Sequence, residues 1–329
     1  MDTFVDSSWY FYRYCSPQTE NAPFDQSAVK HWFPIDLYVG GIEHAILHLV
    51  YSRFWTKMMK DLGLIDWVEP VARLFPQGMV HKDGEVMSKS KGNTIAPDDV
   101  IKRYGADTLR LYILFAAPPE LSMDWSETGI EGPHRFLLRV WRVVQKHAGT
   151  GPRGKPAFSS LSENGATLRR KVHQTIVRVT GDIDERIHLN TAVAALMELT
   201  NEIYRLEDGL VDGSDAAVRA EALDTLVLLL SPFAPHACEQ MWLDLGHAKS
   251  LVDEPWPKAD ETAMHEVATE VAVQVNGKLR ARVLVPAGAD DAAHKAQALA
   301  DPGVKAHVEG KTMVKAIIVP GRLINLVVK

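Results

Sequence analysis

Asp36-Leu37-Tyr38-Val39-Gly40-Gly41-Ile42-Glu43-His44 runs from an apolar stretch through paired glycines into residues 43–60, where Ile46, Leu47, Val50, Phe54 and Met58 are apolar. The first part has strand character, the last has helical spacing, and the glycines make the turn between them. Strand, glycine turn and helix in that order form a βα unit. Such units build parallel sheets and leave ligand sites at the carboxyl ends of the strands. Downstream, Gln77-Gly78-Met79-Val80 reads as another short strand, and a polar loop over 81–93 follows it. Pro97 then opens a helix over 98–117, with Val100, Ile101, Tyr104, Leu109, Tyr112 and Ile113 apolar.

From about residue 133 the pattern becomes helical. Phe136, Leu137, Val140, Trp141 and Val144 share a helical repeat, as do Val172, Ile176, Val179, Ile183 and Ile187, and then Val193, Leu196, Met197, Thr200 and Ile203. A Gly/Pro/Ser stretch over 149–162 reads as a linker, and Glu254-Pro255-Trp256-Pro257 ends the helical bundle. The period then changes. Val271, Val273 and Val275 alternate, Asn276-Gly277 signals a tight hairpin, and Leu279, Ala281, Val283 and Val285 alternate back. An Ala-rich helix over 290–300 and a second hairpin, turning at Pro320-Gly321, complete a β-β-α-β-β module.

Composition narrows the class. The 329 residues are 46% hydrophobic and 24% charged, which suits a globular chain of two or three domains. Net charge is −6, so a uniformly basic coat is excluded, but the charge is blocked along the chain. Residues 1–132 carry −6, 133–208 carry +4, 209–263 carry −7 and 264–329 carry +3. Alternating blocks point to surfaces with different partners. Cys15 and Cys238 fit neither a disulfide framework nor a zinc ribbon. With no secretory signal and no stretch long enough to span a membrane, a cytoplasmic protein is expected.

Several motifs fail. Glu309-Gly310-Lys311-Thr312 ends like a P-loop, but Lys305 stands where its first glycine belongs. His44 and His48 have metal-ligand spacing without a third ligand, so no protein-bound metal is expected. The loop Val86-Met87-Ser88-Lys89-Ser90-Lys91-Gly92-Asn93 is more informative. Lysines interleaved with hydroxyls on a glycine-bounded loop can close over a polyphosphate, with Lys89 on phosphate oxygens and Ser88 and Ser90 fixing the loop. A plain solvated loop is the competing reading.

Met87-Ser88-Lys89-Ser90 resembles the KMSKS signature of class I aminoacyl-tRNA synthetases, with Val86 in place of the first lysine. Gly40-Gly41-Ile42-Glu43-His44 resembles the GGxEH element of the same fold. Asp2-Thr3-Phe4-Val5-Asp6-Ser7-Ser8-Trp9-Tyr10, Tyr104-Gly105-Ala106-Asp107-Thr108-Leu109-Arg110, Val273-Gln274-Val275-Asn276-Gly277-Lys278 and Pro320-Gly321-Arg322-Leu323-Ile324-Asn325-Leu326 extend the resemblance to bacterial leucyl-tRNA synthetases. It covers the whole chain in order. The implied fold is α/β: the C-terminal half of a Rossmann-type catalytic domain over 1–126, with the signature loop at 86–90, a helical anticodon-binding-type domain over 127–263, and an α+β tRNA-binding module over 264–329.

The resemblance also implies roles. Phe4, Ser7, Tyr10 and His44 would line the leucine pocket. Gly40, Gly41 and Glu43 would contact adenosine, Met79 and Val80 would face adenine, and Met87 and Lys89 would complete the ATP site. Lys89 would stabilise the pyrophosphate leaving group, with Mg2+ arriving on ATP. On the basic blocks, Lys278, Arg280 and Arg282 would share one strand face and reach tRNA phosphates. The HIGH signature and the editing insertion of the family are absent. The expectation is therefore a leucine–tRNA ligase portion, inactive without a HIGH-bearing N-terminal half. Because Met1 falls inside a motif, a fragment is favoured over a natural split subunit. A non-catalytic tRNA-binding module is the alternative.

Overall fold

The computed structural model describes residues 4–149, 161–211, 213–264, 268–286, 289–319 and 322–329. Asp2 and Thr3, most of the 149–162 linker and the Pro320-Gly321 turn lie outside them. The chain divides into two compact units, Met1–Leu138 with Asp182–Ala194, and Arg139–Gly181 with Ala195–Lys329.

In the first unit, helices α1 (Tyr10–Tyr14) and α2 (Gln26–Trp32) precede strand β1 (Ile35–Gly41). Phe11, Tyr12, Phe24, Val29 and Phe33 bury a cluster with Met59 and Ile65, and the Tyr12 and Phe33 rings stack 4.3 Å apart. β1 pairs in parallel with β2 (Val71–Gln77), Gly40 facing Pro76 and Gly41 facing Gln77. The expected helix over 43–60 begins differently. A 3-10 turn, Ile42–Ile46, comes first, and α3 (His48–Asp61) starts after Leu47, whose φ of −118° and ψ of −98° interrupt the helix.

The strand expected over 77–80 is instead a break. β2 ends at Gln77 and β3 (Val80–Lys82) begins at Val80. Gly78, between them, donates its N–H to Pro119 O at 2.9 Å. A Cβ at this position would collide with the Leu121 backbone, so only glycine fits. β3 forms a hairpin with β4 (Glu85–Val86) through Asp83 and Gly84, both at positive φ, and pairs in parallel with β5 (Met123–Asp124). The helix expected over 98–117 is two helices, α4 (Pro97–Tyr104) and α5 (Ala106–Ala116). Gly105, at φ +87°, makes the corner that an L side chain resists.

Helix α6 (Glu131–Lys146) carries the chain into the second unit, where α7 (Glu163–Gly181), α8 (Leu189–Leu206), α9 (Ser214–Leu230) and α10 (Pro235–Asp244) supply long buried faces. Leu168, Val172, Ile176 and Val179 of α7 are buried, as are Leu199 and Ile203 of α8 and Leu223, Leu226 and Leu230 of α9. The period expected to reach Ile187 stops at Gly181. A π turn, Asp182–Arg186, follows, and Ile187 has φ +54°. The short α11 (Glu261–Met264) packs on α7. Beneath it, buried Arg169 donates from Nε to Glu221 at 3.0 Å and from Nη2 to Asp260 at 3.1 Å, while His173 Nδ1 accepts from Asp260 N–H.

The terminal sheet has strand order β7-β6-β9-β8, with β6 (Ala268–Val275) parallel to β9 (Leu323–Val328) and antiparallel to β7 (Lys278–Pro286), and β8 (Met313–Val319) at the edge. Asn276 and Gly277 turn the first hairpin at φ +51° and +76°. Where one helix is expected there are two, α12 (Asp291–Ala300) and α13 (Pro302–Val308). Asp301 caps the second, accepting from Gly303 and Val304 N–H. Val271, Val273, Val283, Val285, Ile324 and Leu326 make the core with Ala298 and Val304.

Candidate active site at the strand ends

β1 and β2 end side by side at Gly41 and Gln77, the position where parallel sheets leave room for ligands. A cavity of about 310 Å³ lies there, lined by Tyr10, Tyr38, Gly40, Gly41, His44 and His48, with Leu49, Leu74 and Pro76 among its apolar walls. One wall is a hydrogen-bonded chain. The Tyr38 hydroxyl is 2.7 Å from His48 Nε2 and 3.3 Å from the Tyr10 hydroxyl. Burial, with Tyr10 alongside, pushes the Tyr38 phenol up from its ordinary range. Burial also holds His48 below the usual histidine value, with His44 adding to the effect. These shifts keep the Tyr38 phenol and the His48 ring uncharged at neutral pH, beside an apolar slot with fixed polar markers.

The structure brings Tyr10, His44, Gly40 and Gly41 to one cavity. Phe4 and Ser7 are not among its lining residues. The Phe4 ring stacks on Tyr51 at 5.7 Å, and the Ser7 hydroxyl donates to Phe4 O at 3.0 Å. Glu43 folds its carboxylate over Gly41, into the space a Cβ there would take. Met79 has both backbone polar groups engaged, N–H to Ser122 Oγ at 3.3 Å and C=O from Met123 N–H at 3.0 Å. Tyr38 and His48 line the same cavity without being expected there. The one signal was the His44/His48 spacing, which puts two histidines four residues apart; their rings lie 6.1 Å apart at right angles. Among the described residues no group of three His, Cys, Asp or Glu is placed to hold a metal ion.

The signature loop is tied to β3, in a sheet separate from the β1–β2 pair. Met87 N–H donates to Val80 O at 3.0 Å, and the Ser88 and Ser90 hydroxyls are 2.8 Å apart. Lys89 opens a 3-10 turn, Lys89–Lys91, with its side chain exposed.

The expected basic face of β7 is not one face. Lys278 stands opposite Val275 and Leu279 opposite Gln274, but Ala281 stands opposite Val273, so Arg280 is an extra residue in a β-bulge. Lys278 therefore lies on the face of Val275, while Arg282, opposite Ala272, lies on the other. Arg282 is also paired with Glu270 at 3.1 Å.

The model for class I tRNA synthetases (I, L, M and V) matches residues 1–126, and that for the anticodon-binding domain of tRNA ligases matches residues 166–296. A leucine–tRNA ligase from Thioalkalivibrio sulfidiphilus is 52% identical over 100% of this chain, and one from Alcanivorax borkumensis 50% identical over 99%. Two stretches of the chain are thus similar to the catalytic and anticodon-binding domains of tRNA ligases. The chain spans 40% of the length of those two ligases. Among solved structures, the ternary complex of Agrobacterium radiobacter K84 agnB2 LeuRS with tRNA and LeuAMS matches with a TM-score of 0.78 at 38% identity, over all of this chain and 42% of that one. Among the described residues no helix is long and apolar enough to cross a membrane.

Proposed function

We propose that this chain forms part of a leucine–tRNA ligase that activates leucine with ATP and transfers it to tRNA(Leu). The observation that carries the reading is the hydrogen-bonded Tyr10–Tyr38–His48 wall beside Gly40 and Gly41, in a chain whose relatives are leucine–tRNA ligases. The cavity would take the leucine side chain and adenosine at the two glycines. Leucine's carboxylate attacks the α-phosphorus of ATP in line, and pyrophosphate leaves. Lys89 stabilises charge gathering on that leaving group, Ser88 and Ser90 hold the loop, and Mg2+ comes and goes with the nucleotide. A terminal ribose hydroxyl of tRNA then takes the leucyl group, and AMP departs.

Residues 1–126 would be the second half of a Rossmann-type catalytic domain, 127–263 the anticodon-binding-type bundle and 264–329 a tRNA-binding module, working in the cytoplasm. Lys278 and Arg280 remain its candidate phosphate contacts, with Arg282 secondary because Glu270 already holds it.

The partner is argued from exposed apolar surface. A parallel sheet is ordinarily covered on both faces, yet Leu37 and Val39 of β1, Leu74 of β2 and Ile46, Val50 and Phe54 around α3 are exposed, Ile46 to 80%. The HIGH-bearing remainder of the ligase would cover them. Leucine-dependent ATP–pyrophosphate exchange tests this. None is expected from the chain alone, and measurable exchange once the remaining portion of a leucine–tRNA ligase is added. A mixture that binds tRNA without exchange would turn the reading into that of a tRNA-binding module.

A further inference from the structure

Val86 leaves the signature loop one cation short, and the fold brings another back to the neighbouring position. Lys91 closes the 3-10 turn, and its Nζ lies 3.0 Å from Oε2 of Glu85, the residue before Val86. Two devices hold the loop in this path. Gly92 turns the chain at φ +68°. Asn93 ties the neck, its Oδ1 accepting from Ser88 N–H at 2.8 Å and its Nδ2 donating to Val86 O at 3.2 Å. The 86–93 loop is thus a ring with a fixed base, carrying Lys89 and Lys91 two residues apart.

The Glu85–Lys91 pair is built to exchange. Its side chains are 63% and 51% exposed, and an ion pair so open to water holds weakly. A polyphosphate presents several charged oxygens and is the stronger partner for an ammonium group. Glu85 would not be left alone, because Lys82 stands directly opposite it across the β3–β4 hairpin.

We infer that Glu85 and Lys91 form an exchangeable latch, in which Lys91 is a second phosphate-binding cation of the loop, held by Glu85 until a polyphosphate displaces that carboxylate. The inference rests on the nucleotide-binding reading of the loop, and Lys89 separates the two. Binding of inorganic pyrophosphate to the full chain is measured by equilibrium dialysis at low ionic strength. Lys91→Ala should weaken it by about tenfold, the scale of one charge-assisted hydrogen bond in partial contact with water. Glu85→Gln should tighten it by roughly threefold, the small effect of an exposed pair. The double variant should match Lys91→Ala, because Glu85 acts only through Lys91. If Lys89→Ala weakens binding while Lys91→Ala and Glu85→Gln leave it unchanged, the latch is wrong and the loop reading stands. If Glu85→Gln weakens binding, the pair is a brace and the latch is likewise overturned. If no form binds pyrophosphate, both fall.

Discussion

Lys89 stands exposed at the first position of a short turn whose base is fixed by Asn93, so its charge can move to phosphate without rebuilding the loop. In the completed enzyme, Lys89→Ala should lower the rate of leucine-dependent exchange by about 10²–10³, the scale of one preorganised charge-stabilising donor, with leucine KM little changed. Tyr38→Phe should do the opposite. It removes a 2.7 Å bond to His48 and a weaker one to Tyr10, so leucine KM should rise by about five- to tenfold, as one hydrogen bond allows, and kcat should hold. A fall in kcat at constant KM would move Tyr38 out of the amino-acid pocket. Gly40-Gly41 and the lysine loop were legible because glycines and clustered cations announce themselves locally. Tyr38 and His48 were not, because a strand tyrosine and a helix-start histidine look like ordinary packing until the turn between them brings them together.

At the scale of elements, Gly78 sets the geometry between β2 and β3. Its place against the Leu121 backbone makes Gly78→Ala an overpacking change, expected to cost about 1–3 kcal/mol. A urea midpoint equal to that of the parent chain would show that the backbone yields instead. α11 makes a pH prediction. Hydrogen bonds from Thr262, then from Arg169, hold the Asp260 carboxyl down at about 2, against an ordinary value of 3.8. The folded state therefore releases this proton more readily than the unfolded chain. The resulting stability is complete above the ordinary value and is lost as pH falls toward 2. Asp260→Asn should flatten the fall in melting temperature across that window; an unchanged acid limb would refute it. Element boundaries were the least legible part. Pro76 reads against a strand, and hid β2. Gly105 inside an otherwise helical repeat hid the corner between α4 and α5.

For the whole molecule, the exposed apolar residues around β1 and α3 carry the next test. Val50 and Phe54 are 55% and 63% exposed, in a chain that spans 40% of the length of its matched relatives. Val50→Asp with Phe54→Asp should make the isolated chain less prone to self-association, read by light scattering, and should abolish exchange restored by the remaining ligase portion. Retained exchange would mean that the partner covers another surface. The α/β character and the run of bundle helices were legible from period alone, since 2 and 3.6 are hard to confuse over long stretches. The exposure of one sheet was not, because hydrophobicity says that a face wants cover and never what covers it.

The bulge at Arg280 makes the β6–β7 hairpin unusual in its tolerance of lost residues. Removing one residue from a strand ordinarily turns every following side chain to the wrong side. Here the pairing already skips Arg280, so its deletion would leave Leu279 opposite Gln274 and Ala281 opposite Val273, with Val283 and Val285 still facing the core. Deleting Ala281 instead would leave the same ladder with Arg280 set against buried Val273. The first deletion should keep the melting temperature within a few degrees, as a change below about 0.5 kcal/mol would. The second should lower it well beyond that, by burying an unpaired charge. Two deletions at adjacent positions, equal in length and opposite in consequence, would show that this strand counts parity and not residues.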